Sequence, residues 1–380
     1  MKTATISRMF SFVIAVLAGF LTPLAHASAE PAMPGRWSEE KASAWYDKLP
    51  WLVGANFTPS TAINQLEMWQ ADTFDPETID RELGWAAGLG MNTMRVYLHD
   101  MLWEQDSVGF LNRIDQYLAI ADKHGIRTLF VLCDAVWDPH PKLGKQPEPT
   151  PHVHNSGWVQ SPHIDVLRDP TRHDSLEPYF KGVIGRFKDD PRVLAWDLYN
   201  EPGNQGEKDG MSPEEKDGKC LLLLRKMFAW AREVNPSQPL TAGPWIKEWI
   251  GPHATPLNRF MLENSDIITF HDYRTLHRTI ERVGSLKPFG RPVLCTEYLA
   301  RGADSRFESH LPYFKQNRIA AYNWGLVAGK IQTQYPWSSW RTKFTAEPET
   351  WHHDILRPDG TPFNAAETEL LRSMTERGED

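Results

Sequence analysis

Two glutamates stand where a strand would hand its last side chain to a loop. Glu201 follows the β-branched and aromatic run from Val193 to Leu198, within Tyr199-Asn200-Glu201-Pro202-Gly203. The Pro and Gly stop the strand and leave the carboxyl at its end. Glu297 closes a second apolar run, Val293-Leu294-Cys295-Thr296. A carboxyl group held there, beside an amide and bounded by strand breakers, is a positioned acid or base. Two of them in different protonation states would meet the demand of glycosidic bond cleavage. One gives a proton to the departing oxygen while the other, ionised, faces the anomeric carbon.

The elements that must position these groups follow one rhythm. Strands are expected near residues 51, 93, 127, 193, 239, 267, 292 and 320, each followed by a segment with helical apolar spacing. Asp75-Pro76 reads as an N-cap with Pro at the first helical position, and Asn235-Pro236 closes the strong helix over about 213–234. Eight alternations of strand and helix predict an α/β fold, a (β/α)8 TIM barrel in a single domain. Long loops are expected after strands 1, 3 and 8, at 58–74, 135–173 and 330–360. The fifth strand is read as Pro239–Trp245, the eighth as Ala320–Val327, and the helix after the second strand as about Asn112–His124. In such a barrel the site lies at the carboxyl ends of the strands. The polar and aromatic residues at those ends are Asn56, Arg95 and His99, Asp134, Asn200, His271 and Tyr273, and Trp324, with Trp137 on the long third loop.

Asn200-Glu201-Pro202 on the fourth strand and Glu297 at the end of the seventh resemble the signature of retaining glycoside hydrolases of the cellulase type, clan A, family 5-like. The resemblance runs in order over 51–330. It implies that Glu201 is the acid/base, Glu297 the nucleophile and Asn200 the partner of the sugar 2-hydroxyl. Arg95 would support the nucleophile, His271 and Tyr273 match a sixth-strand His-x-Tyr, and Trp324 would floor the reacting sugar. Asn56, His99, Asp134 and Trp137 are added as substrate-binding candidates. Cys133-Asp134 departs from the family's usual third-strand polar pair. Substrate is then a β-linked xylan, glucan or mannan, with no cofactor and no metal. A binding barrel that has lost catalysis and a transglycosylase are the alternatives. A retaining enzyme would hold its carboxyl groups roughly 5–5.5 Å apart.

Composition narrows the classes further. The 380 residues are 41% hydrophobic and 24% charged with a net charge of −8, which offers nothing to nucleic acid or an anionic membrane. Sixteen Trp is a heavy load, suited to stacking on pyranose rings as well as to packing. Lys2 and Arg8, the apolar stretch Met9–Leu21 and Ala25-His26-Ala27 read as a signal peptide over 1–27, leaving 28–380 as a secreted or periplasmic catalytic domain. Cys133, Cys220 and Cys295 are odd in number and read as buried thiols, with a Cys133–Cys295 bridge as the other option. His152, His154, His163, His352 and His353 lack the helical i, i+4 spacing of a zinc hydrolase. Gly-x-Ser-x-Gly and Gly-x-Gly-x-x-Gly are both absent.

Overall fold

In the computed structural model, residues 32–206 and 208–375 are described. The expected signal segment, 1–27, lies outside them. Eight parallel strands run β1 (Val53–Asn56), β2 (Thr93–Tyr97), β3 (Arg127–Val131), β4 (Val193–Asp197), β5 (Leu240–Thr241), β6 (Ile268–His271), β7 (Val293–Tyr298) and β8 (Ala320–Trp324). Their order in the sheet is β5-β4-β3-β2-β1-β8-β7-β6. Because β1 pairs with both β2 and β8, the sheet curls into a nearly closed (β/α)8 barrel.

The seam falls between β5 and β6, where side chains and loop backbone replace a ladder. Thr241 Oγ1 donates to Ile267 O at 3.0 Å, and Asp266 N donates to Leu240 O at 2.8 Å. A Cβ on Gly243 would lie 2.5 Å from Thr269 O, so only glycine lets the two backbones approach there.

Strand alternation divides the core in two. Leu129 and Val131 turn into the barrel lumen, with Leu194, Leu294, Tyr322 and Ile267. Phe130 and Trp196 face outward and stack against each other at 5.8 Å, in the layer shared with the helices. The helix Pro213–Val234 buries Leu223, Leu224, Met227, Phe228 and Ala231 there; Ser212 caps its start, and Asn235, at φ 53°, ends it. Cys133, Cys220 and Cys295 are all free and buried. Among the described residues no helix is long and apolar enough to cross a membrane.

Several expected boundaries move, each for a local reason. The fifth strand shrinks to Leu240–Thr241 because Gly243-Pro244 cannot continue a ladder. The eighth ends at Trp324, since Gly325 turns to φ 77°. The helix after β2 begins at Asp100 and is kinked at Asp106, rather than starting near Asn112. The long loops are partly helical, with Gln65–Trp69 in the first and Ile164–Arg168 in the second.

Candidate active site

The strand ends converge on Arg95. It is fully buried, and its guanidinium reaches five side-chain oxygens: Nη2 donates to Asp197 Oδ2 at 2.7 Å and to Asn200 Oδ1 at 2.8 Å. Nη1 donates to Asn56 Oδ1 and to Glu297 Oε1, both at 2.9 Å, and also meets the Tyr97 hydroxyl. A buried guanidinium tolerates this position because its fixed fork is satisfied on every side. Period-two alternation puts Arg95 and Tyr97 on the same face of β2.

Glu297 is clasped by donors. Oε1 accepts from Arg95 and, at 2.8 Å, from Tyr97 Oη; Oε2 accepts from Tyr273 Oη at 2.6 Å. Glu201 stands differently. Its own donor is Asn204 Nδ2 at 2.7 Å, and burial pushes its carboxyl up to about 7, against the opposing pull of Asn204 and Arg95. His271 Nδ1 bridges the pair, 2.8 Å from Glu201 Oε1 and 3.3 Å from Glu297 Oε2. Burial lowers the His271 pKa to about 4, so the bridging imidazole is neutral near pH 7. A carboxylate oxygen from each glutamate and a His271 ring nitrogen all lie within 4.8 Å of one another. Two like groups thus occupy unlike surroundings, one buried beside a single amide donor and a neutral imidazole and one clasped by three donors, which is how paired carboxyls acquire opposite roles.

That trio is also the one cluster among the described residues close enough to share a cation. The Arg95 guanidinium, 2.9 Å from Glu297, opposes a second positive charge there. Of the sequence-noted histidines, His154, His352 and His353 gather by ring contact. His152 instead meets Tyr335 Oη at 2.6 Å, and His163 caps the helix Ile164–Arg168.

A cavity of about 270 Å³ opens above the pair, lined among others by Trp137, Asn200, Glu201, Tyr273, Glu297 and Trp324. Trp324, at the end of β8, packs edge-on to Tyr97 and Trp158. The remaining expected residues lie behind this lining. Asn56 orients Arg95 and ties itself to Thr296 O at 2.8 Å. Asp134 accepts from Asn200 Nδ2 at 2.8 Å and from Trp158 Nε1 at 2.6 Å, which fixes the Asn200 amide from below. His99 is buried outside the cavity: its Nδ1 accepts from Met101 N, capping the helix after β2, and its Nε2 donates to Gln160 O. The structure therefore gives His99 a capping place, not the substrate contact expected of it.

Sequence reasoning missed Tyr97, Asp197 and Asn204. Each left a signal: Tyr97 shares the strand face of Arg95, Asp197 is a carboxylate inside an apolar strand, and Asn204 follows Glu201 by three residues.

Residues 61–330 match the model of the Cellulase family, glycosyl hydrolase family 5, and the chain belongs to that family. A mannan endo-1,4-β-mannosidase 7 of Oryza sativa subsp. japonica is 24% identical over 148 residues, 37% of this chain and 35% of its own length. The chain thus spans about a third of the length of such curated relatives. Among solved structures, GH5_18 from Streptomyces cattleya, in complex with Manβ1-4GlcNAc, superposes with a TM-score of 0.56 at 14% identity, over 85% of this chain and 80% of that one. The endo-β-1,4-mannanase of Thermotoga petrophila gives 0.56 at 17% identity, over 87% and 77%. These two share the fold.

Proposed function

We propose that the protein is a retaining β-glycoside hydrolase that acts on β-mannosides by double displacement. The observation that carries the mechanism is the contrast within one close pair. Glu297 is clasped by three donors, Glu201 is raised to about 7, and their nearest oxygens lie within 4.8 Å. That separation suits direct attack on the anomeric carbon and is too short for the ~6.5–9.5 Å arrangement that admits a water between sugar and base.

In the first step a Glu297 oxygen bonds to the anomeric carbon as the bond to the leaving oxygen breaks, and Glu201 passes its proton to that oxygen. In the second, water attacks the same carbon, Glu201 takes up the proton, and the bond to Glu297 breaks. Asn200 can serve the sugar 2-hydroxyl, since Arg95 and Asp134 fix both ends of its amide. Trp324 supplies an apolar face under the ring.

The mannose assignment rests on the names borne by the relatives. The reading of residues 1–27 as a signal peptide places the enzyme outside the cytoplasm. Hydrolysis of aryl β-mannosides should exceed that of the gluco- and xylo-configured analogues, and the first product seen by NMR should be the β-anomer. Glu297→Ala should lose at least ~10⁴-fold in turnover, and azide should restore cleavage with an α-glycosyl azide as product. An α-anomer as the first hydrolysis product, or ordinary turnover by Glu297→Ala, would overturn the assignment.

A further inference from the structure

Solved structures of this fold include one named an endo-β-1,4-mannanase and one named an exo-β-1,4-mannosidase, so the fold leaves the mode of attack open. The loops of this chain bear on it directly. The loop after β3 and the loop after β8 are stitched together over the barrel mouth. Asn155 N donates to Ile331 O at 2.8 Å, and His154 N donates to Ser339 Oγ at 2.9 Å. Gln332 both accepts from His152 N at 2.8 Å and donates to Thr150 O at 2.7 Å, while Trp340 Nε1 donates to His154 O at 2.8 Å. The loop after β1 joins the same wall through Lys330, whose Nζ lies 2.6 Å from Glu67 Oε1 and whose N donates to Ser60 O at 3.0 Å.

This wall stands on one side of the reacting centre. The leaving oxygen must face Glu201, on the loop after β4, where Asn204 lines the cavity together with Trp245 of the loop after β5. Among the described residues no hydrogen bond joins the loops after β4 and β5 to the loop after β8. With the reacting sugar over Trp324, as in the reading above, a sugar preceding it would run towards the stitched loops, whose His154, Asn155, Trp340 and His353 line the same cavity.

The wall carries unpaired acceptors. Asn155 is 5% exposed and lines the cavity; its side-chain oxygen is enclosed without a partner, so its amide must turn to reach a sugar hydroxyl. His154 and His353 also line it. Each directs Nδ1 at a backbone carbonyl, of Tyr335 and Leu299 respectively, so Nδ1 carries the hydrogen and Nε2 is left as an acceptor. A buried acceptor without a donor, as at Asn155, is costly, and the hydroxyls of a terminal sugar could donate to it and to the two imidazoles.

We infer that the site takes the single sugar at the non-reducing end of a β-linked chain and releases it, with His154, Asn155 and His353 reading its hydroxyls. The inference rests on the double-displacement reading above and adds the mode of attack to it.

The test uses β-1,4-linked hexasaccharides of manno and gluco configuration, each with a free non-reducing end or with that end capped as the 4,6-O-benzylidene acetal. Wild-type protein should release monosaccharide alone from a free-ended hexamer. Glu201→Gln should bind the capped form at least ~100-fold more weakly by calorimetry, a loss expected when a buried polar site cannot be filled. Di- and trisaccharides among the earliest products, or equal binding of capped and free forms, would overturn the inference and leave the hydrolase reading intact. Terminal release from the gluco set alone would overturn the mannose assignment and leave the terminal mode standing. If no hexamer is bound or cleaved, both readings fall. Asn155→Ala should raise KM by roughly 10-fold while kcat stays nearly unchanged; an unchanged KM overturns its role. Gln332→Ala combined with Ser339→Ala removes three of the bonds that join the two loops and should bring disaccharide into the products. A folded double variant that still releases only monosaccharide would show that these contacts do not close the wall.

Discussion

Glu201 sits at φ 43°, in the left-handed region that non-glycine residues seldom occupy, between the end of β4 and Pro202-Gly203. Such backbone persists only where the surroundings over-determine it, here through the contacts of Asn204 and His271. Its carboxyl, pushed up to about 7 from an ordinary 4.5, holds its proton more tightly folded than unfolded. The stability linked to that proton is therefore complete below pH 4.5 and declines as the pH rises through 7, by on the order of 3 kcal/mol at most. Two outcomes follow from the one group. The rate of the glycosylation step should fall on an alkaline limb near pH 7, because the proton donor must carry its proton. Glu201→Gln, which removes the buried charge, should melt a few degrees above the wild type at pH 8 and show no such gain at pH 4. Calorimetric scans at both pH values check this, and equal melting shifts would sink the linkage.

At the scale of elements, the barrel depends on close backbone approach at two places. A Cβ on Gly54 would fall 1.8 Å from Thr93 O between β1 and β2, and one on Gly243 would fall 2.5 Å from Thr269 O at the open seam. The seam has few ladder bonds to lose, so it yields by separating. Gly243→Ala should cost about 2–3 kcal/mol in urea unfolding, the scale of overpacking in a close-packed interior. A cost near zero would mean that β5 and β6 shift apart freely. The loops obey a different logic. They were legible as long, Trp-rich and irregular, but the bonds that turn two of them into a wall pair residues some 180 positions apart, such as His152 with Gln332. No local pattern announces such a pairing.

At the scale of the whole molecule, the lumen and helix layers of the described residues support the site, and residues 1–27 pose a question of their own. The exported protein should begin at Ser28, as read by mass spectrometry of material secreted by an expressing cell. An intact Met1 on exported protein would remove the signal-peptide reading and, with it, the extracytoplasmic location.

The alternation of strands and helices, the two glutamates and most of their neighbours were readable from the chain, because strand ends and breakers are local chemistry and a barrel gathers all its strand ends on one rim. Arg95, Asn200, His271, Tyr273 and Trp324 meet around Glu201 and Glu297 for that reason. His99 illustrates the limit. It lies two residues beyond the strand of Arg95, where a helix begins one residue later and takes its side chain as a cap. Tertiary structure alone decided which polar residues face the cavity and which stand behind them, as Asp134 and Asn56 do. It also decided the difference between the two carboxyls, since burial raises Glu201 while the donors around Glu297 come from other strands and loops. What the loops leave open above the site, and so how much of a sugar chain can enter, was settled by contacts that exist only once the barrel has closed.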